Sequence, residues 1–159
     1  MKLSRRLAAP LAAALLLSGC GMQIPTDPDG TLDSIRASGE LRVGVSPHPP
    51  FTTLPETPDG APGGSEVEIV TGFAESLGVE PVWVVDGEEE LVRQLEAGEV
   101  DVLIGGLTDK NPALSSTGAT RPYVTTPEHG KQVKHVMAVV PGENALLSEL
   151  ERYLDGERG

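Results

Sequence analysis

Three apolar runs of strand length, Leu41–Val45, Pro81–Val85 and Val100–Ile104, are separated by two stretches whose apolar residues recur at helical spacing. That alternation confines the chain to an α/β fold on a mostly parallel sheet. The stretch Glu66–Leu77 sets Val67, Val70, Phe73, Ala74 and Leu77 on one face and is followed by Gly78, the pattern of an amphipathic helix with a glycine stop. The second stretch begins after Asp86, a capping residue, and runs to Gly98. It carries Glu88, Glu89 and Glu90 in its first turn, against the positive end of the helix dipole, while Leu91, Val92 and Leu95 face inward. The acidic run therefore has a structural explanation. Val100–Ile104 is continuously apolar after Asp101, as in a parallel strand covered on both faces. The expected architecture has three layers, an open and mostly parallel sheet with helices on both faces.

Two further helices flank this unit. Thr31 or Asp33 caps a short one that carries Leu32 and Ile35 and ends at Gly39, and Glu143–Leu154 places Leu146, Leu147, Leu150 and Leu154 at core spacing. A long loop rich in Pro and Gly follows Val45. Residues 31–156 suffice for one domain with a modest core and are too few for two. Trp83 lies in a strand among valines, which reads as core packing, and the Asp59-Gly60 and Pro62-Gly63-Gly64 segments read as turns.

The amino terminus carries a different signal. Lys2, Arg5 and Arg6 precede an apolar stretch from Leu7 to Leu17, too short to span a bilayer and suited to a secretory leader. Leu17-Ser18-Gly19-Cys20 resembles the bacterial lipobox. The resemblance implies a signal peptide over residues 1–19 and a lipidated Cys20 that anchors the chain to a bacterial membrane, on the periplasmic side or at the cell surface, without spanning it. Residues 20–30 then form the lipidated cysteine and a flexible tether, with two prolines, two glycines and no periodicity. Cys20 is the single cysteine of the chain, which excludes an internal disulfide and a multi-cysteine metal cluster. The formal charge is −12, and a leader that removes Lys2, Arg5 and Arg6 lowers it by three, to −15. Such a surface disfavours nucleic acid and anionic lipid.

The order of short segments carries a family resemblance. Gly39-Glu40-Leu41-Arg42-Val43-Gly44-Val45 is followed by Pro49-Pro50-Phe51, Gly64-Ser65-Glu66-Val67-Glu68, the run Leu95 to Ile104, and Arg121-Pro122-Tyr123. In this order they resemble the first lobe of family 3 bacterial extracellular solute-binding proteins, amino-acid-binding receptors of the type 2 periplasmic-binding fold. In that family a second lobe follows the Pro-Tyr hinge. Here about ten residues separate Tyr123 from Val133–Val139, the expected returning strand. The resemblance, which covers residues 36–154, implies a receptor reduced to a single lobe.

Ligands of open α/β sheets sit outside the carboxyl ends of the strands, so the loops after Val45 and Ile104 form the candidate edge of a site. The resemblance implies that Phe51 places a ring beside the ligand. It also implies that Gly106, Leu107 and Thr108 offer backbone and hydroxyl groups to an amino acid, and that Ser65 and Glu66 complete the ledge, with Ser65 standing where the family has an aromatic residue. The family arginine that clamps the α-carboxylate is missing. The sequence reads Asp109-Lys110-Asn111-Pro112-Ala113 there, and a lysine ammonium lacks the paired donors of a guanidinium. One lobe also encloses about half of a ligand, so affinity is expected nearer millimolar than micromolar, a loss of about 4 kcal/mol.

His48, His129 and His135 stand at no metal-ligand spacing, and no nucleophile-elbow pattern surrounds a serine. No catalytic residue, metal or cofactor is expected. The expected function is weak binding of a small polar, amino-acid-like solute, or presentation of the lobe to a membrane transporter. The alternative is an interaction or regulatory module that docks on a membrane protein or a separate second lobe and binds no solute. Two copies facing ledge to ledge would rebuild a cleft, so a homodimer is a further expected partner arrangement.

Overall fold

The computed structural model describes residues 28–57 and 60–157. The expected signal peptide, Cys20 and most of the tether lie outside the described residues.

The chain begins with α1 (Thr31–Ser38), β1 (Glu40–Val45), α2 (Ser65–Leu77), β2 (Glu80–Val85), α3 (Glu88–Glu96) and β3 (Val102–Ile104). A 3-10 turn over Pro112–Ser116 leads to β4 (Gly118–Ala119), β5 (Val124–Glu128), β6 (Lys131–His135), β7 (Ala138–Val139) and α4 (Asn144–Gly156). The main sheet has the order β2-β1-β3-β7-β4. β1 is parallel to both β2 and β3, with Val43 opposite Trp83 and Val102, and β7 runs antiparallel to β3 and β4.

Alternation along the strands builds three layers. Val43, Val45, Val102 and Ile104 join the helices α1, α2 and α4 through Ile35, Phe73, Leu146 and Leu150. Leu103 points the other way, into a second cluster with Leu91 and Leu95 of α3. Gly44 faces that side too, and a Cβ there would meet Leu91 Cδ2 at 3.1 Å. α3 thus lies close enough to β1 that a side chain at residue 44 would press on Leu91. Trp83 packs against the first cluster, while Val82 and Val85 of the edge strand stay exposed. Among the described residues no helix is long and apolar enough to cross a membrane.

The structure corrects several local expectations. Neither Thr31 nor Asp33 caps α1. The cap position is Gly30 in the left-handed region, and no local side chain caps the helix. The buried Glu143 carboxylate instead accepts Asp29 N and Thr31 N, each at 3.1 Å. A carboxylate brought from the far end of the chain satisfies amides that a local side chain was expected to serve. The Asp86 carboxylate likewise accepts from the adjacent Gly87 amide, at 2.7 Å, and Gly87 is the cap of α3. α3 ends at Glu96 with Ala97 as its C-cap, ahead of the expected stop at Gly98. β3 begins at Val102 because Asp101 turns its side chain to Arg42, accepting from the Arg42 backbone N and from Nε at 2.9 and 3.1 Å.

The largest correction concerns the expected single returning strand, Val133–Val139. It is split. Its first part belongs to a separate two-stranded hairpin, β5–β6, paired from Val124 with His135 to Glu128 with Lys131, and its second part is β7. The hairpin turn is His129 (φ 46°) and Gly130 (φ 77°), both left-handed, as a two-residue turn between twisted strands requires. The short chain after Tyr123 therefore folds back on itself.

Candidate functional site

The ledge forms where the loops after β1 and β3 meet. Ser46 N donates to Ile104 O at 2.9 Å, which keeps the two loops in register beyond the strands. Gly105 (φ 154°) and Gly106 (φ 63°) turn the chain there. A Cβ on Gly105 would meet Ser46 Cβ at 2.7 Å, and one on Gly106 would meet His48 Cδ2 and Phe51 Cδ2 at 2.7 and 2.8 Å. Glycine at both positions permits this contact. The β1 loop is held by Thr52, whose buried hydroxyl donates to Ser46 O at 2.5 Å and accepts His48 N at 2.9 Å. Phe51 O accepts Glu66 N at 3.0 Å, which seats the first turn of α2 on the same loop.

Glu66 is fully buried. Its Oε2 accepts Gly105 N at 2.7 Å and Gly106 N at 3.0 Å, and its Oε1 accepts the Tyr123 hydroxyl. Burial pushes the Glu66 carboxyl above the usual glutamate range, while the bonds from Tyr123, Gly106 and Gly105 and the nearby His135 pull it down. Burial and the Glu66 charge push the Tyr123 phenol far up, so Tyr123 acts as a donor and not as a phenolate.

The hairpin lies over this loop junction. Asp109 N donates to Lys134 O at 3.0 Å and Val136 N to Leu107 O at 2.9 Å, so Thr108 and His135 stand opposite each other in an antiparallel bridge. The His135 ring is 1 % exposed and lies 4.3 Å from the Phe51 centroid, tilted by 37°. Its Nδ1 is 3.1 Å from Gly106 O. A carbonyl only accepts, so Nδ1 carries a proton. Nε2 faces Thr126 Oγ1 at 2.8 Å and Glu128 Oε1 at 3.6 Å.

The six residues expected to line a ledge fall into two groups. Phe51, Glu66 and Gly106 come together, but around His135 and Tyr123 and out of solvent. Leu107 is buried in the apolar cluster with Leu91 and Leu114. Thr108 is half-buried and Ser65 exposed at the start of α2. The segment that lacks the family arginine has another use. Asn111 accepts Ala113 N at 3.0 Å to cap the 3-10 turn, and its amide donates to Glu88 at 2.7 Å. The sequence reading missed His135 and Tyr123 as partners of the ledge. Tyr123 was legible only as part of the Pro-Tyr hinge, and His135, in the polar stretch Lys-Gln-Val-Lys-His, gave no local sign of its role.

With the geometry established, comparisons with known proteins identify the family. The model for bacterial extracellular solute-binding proteins, family 3, matches residues 41–156. The chain belongs to that family. Among curated relatives in sequence, it is similar to a membrane-bound lytic murein transglycosylase F of Maricaulis maris (strain MCS10), 41% identical over 108 residues that make up 66% of this chain and 23% of the relative. It is similar also to an L-arginine-binding protein of Pseudomonas aeruginosa PAO1, 26% identical over 80% of this chain and 52% of the relative. The chain thus spans a quarter to a half of these relatives. Among solved structures it resembles the arginine-bound form of domain 1 from TmArgBP, with a TM-score of 0.69, 28% identity, and coverage of 78% of this chain and 98% of that one. That structure is itself one lobe, and the mixed, mostly parallel sheet of this solute-binding family member matches it.

Proposed function

We propose that the protein is an extracytoplasmic domain, held to a bacterial membrane by lipid on Cys20 after loss of residues 1–19, that binds a small polar, amino-acid-like solute weakly or presents its lobe to a membrane transporter. The observation that carries this reading is the ledge at the carboxyl ends of β1 and β3, built on the fold of an arginine-bound single lobe. Thr108 and Ser65 keep part of their surface in solvent there. They offer hydroxyls to a polar ligand beside the loop that Phe51 anchors from within. On this reading the domain binds and does no chemistry.

A second reading has its own support. The Gly105 and Gly106 amides are already taken by Glu66, and Phe51 is covered by His135. A ledge filled from within suits a module that docks on a membrane protein, on a separate second lobe, or on a second copy of itself.

Thermal unfolding of the Cys20→Ser chain against millimolar amino acids, polyamines, organic acids and sugars separates the two. With a Kd near millimolar, about 10 mM ligand adds about 1.4 kcal/mol of stability, a shift of a few degrees. Solute binding predicts a saturable shift that Thr108→Ala and Ser65→Ala reduce. Cooperative unfolding with no shift for any compound removes that reading and leaves the docking module.

A further inference from the structure

One side chain of the hairpin lies against three walls of the ledge. His135 faces the Phe51 ring, its Nδ1–H donates to the Gly106 carbonyl, and its backbone is paired with Thr108. Its outer nitrogen meets the Thr126 hydroxyl, so the ring is gripped at both ends and on one face. An aromatic face with convergent polar groups at fixed distances is how proteins hold a small planar ligand. The Gly106 backbone fits this use as well. Any Cβ there would run into Phe51 and His48, so the carbonyl reaches its position beside the ring only because residue 106 is glycine.

His135 also owes its place to the short connection after Tyr123. The turn at His129 and Gly130 brings β6 back immediately, and the Lys134 carbonyl and Val136 amide clip its end to the β3 loop. The residue at that clip is the only buried one of β5 and β6. The hairpin is otherwise polar and solvated, and contributes one ring to the interior.

We propose that the space between Phe51 and the Gly106 carbonyl is a subsite for a planar N–H donor of the imidazole or primary-amide class, which this chain fills with its own His135. The inference rests on the solute-binding reading and deepens it. A solute bearing such a group enters the subsite by displacing the imidazole, and its apparent affinity falls by the fraction of molecules in which the hairpin is docked. Solutes without such a group bind beside the hairpin, at Thr108 and Ser65.

The test is chemical replacement of the ring. The full chain carrying Cys20→Ser is compared with the same chain carrying His135→Gly, and thermal unfolding is followed with free imidazole at pH 8, where imidazole is mostly neutral. The glycine variant is expected to melt lower and to regain about 3 °C or more in a saturable manner, while the parent, whose own ring must first leave, responds only at higher imidazole and by less. 1-Methylimidazole has no N–H for the Gly106 carbonyl and is expected to restore nothing. A cooperatively unfolding variant that ignores imidazole, or that responds equally to 1-methylimidazole, overturns the proposal. His135→Ala is measured alongside, because alanine keeps more strand stability than glycine. Should neither variant fold, nitrogen NMR of the parent decides. A His135 ring fixed as the Nδ1-protonated tautomer supports the subsite, and a ring that averages freely with solvent overturns it. Imidazole rescue without any solute response in the parent upholds the subsite and sinks wild-type solute binding; a parent that responds to a solute, with no imidazole rescue, does the reverse.

Discussion

Leu41, Val43, Val45, Val102, Ile104 and Met137 are fully buried between the sheet and its helices, whereas the hairpin β5–β6 buries His135 alone. The two regions are held by different means. The sheet is secured by apolar area contributed by many residues, each replaceable at a graded cost. The hairpin is secured by a few directional contacts from His135, Tyr123 and the Leu107–Asp109 backbone, where geometry counts for more than area. Glu66 is the joint between them, since its one carboxylate bonds the β3 loop and the tyrosine that leads into the hairpin. The lesson is that the segment after Tyr123 is joined to the lobe by polar contacts, while the sheet is joined to its helices by apolar ones.

The sheet side of the comparison is broken most severely by Leu103→Ala. Leu103 is fully buried against α3, and its truncation is expected to cost about 3 kcal/mol, read as a lower urea midpoint at unchanged slope. The joint comes next. Glu66→Ala leaves the Gly105 and Gly106 amides and the Tyr123 hydroxyl without an acceptor, at about 2 kcal/mol. Glu66→Gln keeps an oxygen for the amides and an N–H for the tyrosine oxygen, and is expected to cost much less.

This pair also carries a pH dependence. The Glu66 carboxyl is raised in the folded protein by burial, so the folded state binds the proton more tightly than the unfolded chain. Its stabilising contribution is fully present below the ordinary glutamate pKa and is lost as pH rises through the folded value. Urea titrations from pH 4 to pH 8 are therefore expected to show the parent losing stability relative to Glu66→Gln as pH rises; a difference that stays flat or runs the other way contradicts the assignment.

Much of the sheet side was legible because periodicity reports what faces a core. The stretch Glu66–Leu77 became α2, starting one residue earlier at Ser65, with Gly78 left-handed at its end as expected. Leu41–Val45 and Pro81–Val85 became β1 and β2, and the leucines of the last helix turned inward. What failed depended on contacts distant in sequence. No local pattern shows that Glu143 rather than Thr31 serves the first turn of α1, or that Asp101 leaves the strand line to bind Arg42. The hairpin was missed for another reason. Its strands, Val-Thr-Thr-Pro-Glu and Lys-Gln-Val-Lys-His, carry little apolar alternation, and the turn pair His129-Gly130 is a weaker sign than Asn-Gly. Of the residues expected to line a ledge, Phe51, Glu66 and Gly106 come together, yet what covers them could not be read, because His135 reaches Phe51 only through that turn.

Smaller substitutions sharpen the contrast. Glu143→Ala releases the Asp29 and Thr31 amides and is expected to cost about 1 kcal/mol, in the range of a lost helix cap, read by urea denaturation. His129→Asn has the smallest expected effect and the opposite sign. Asparagine tolerates the left-handed region better than histidine and suits a two-residue turn before glycine, so a gain of about 0.3 kcal/mol is expected, within the span of turn and propensity effects. It should appear as slower amide exchange across β5 and β6 with that of β1 and β3 unchanged.

The bond from Glu143 to the first turn of α1 also has a mechanical consequence. Tension entering the domain at Pro28 meets, within three residues, two hydrogen bonds to a carboxylate 112 to 114 positions away. A pull on the amino-terminal end is thereby shared with the loop that launches α4, and the helix cannot be peeled from the sheet turn by turn until that clasp gives way. Force applied at that end is thereby divided between α1 and the loop before α4 ahead of β1.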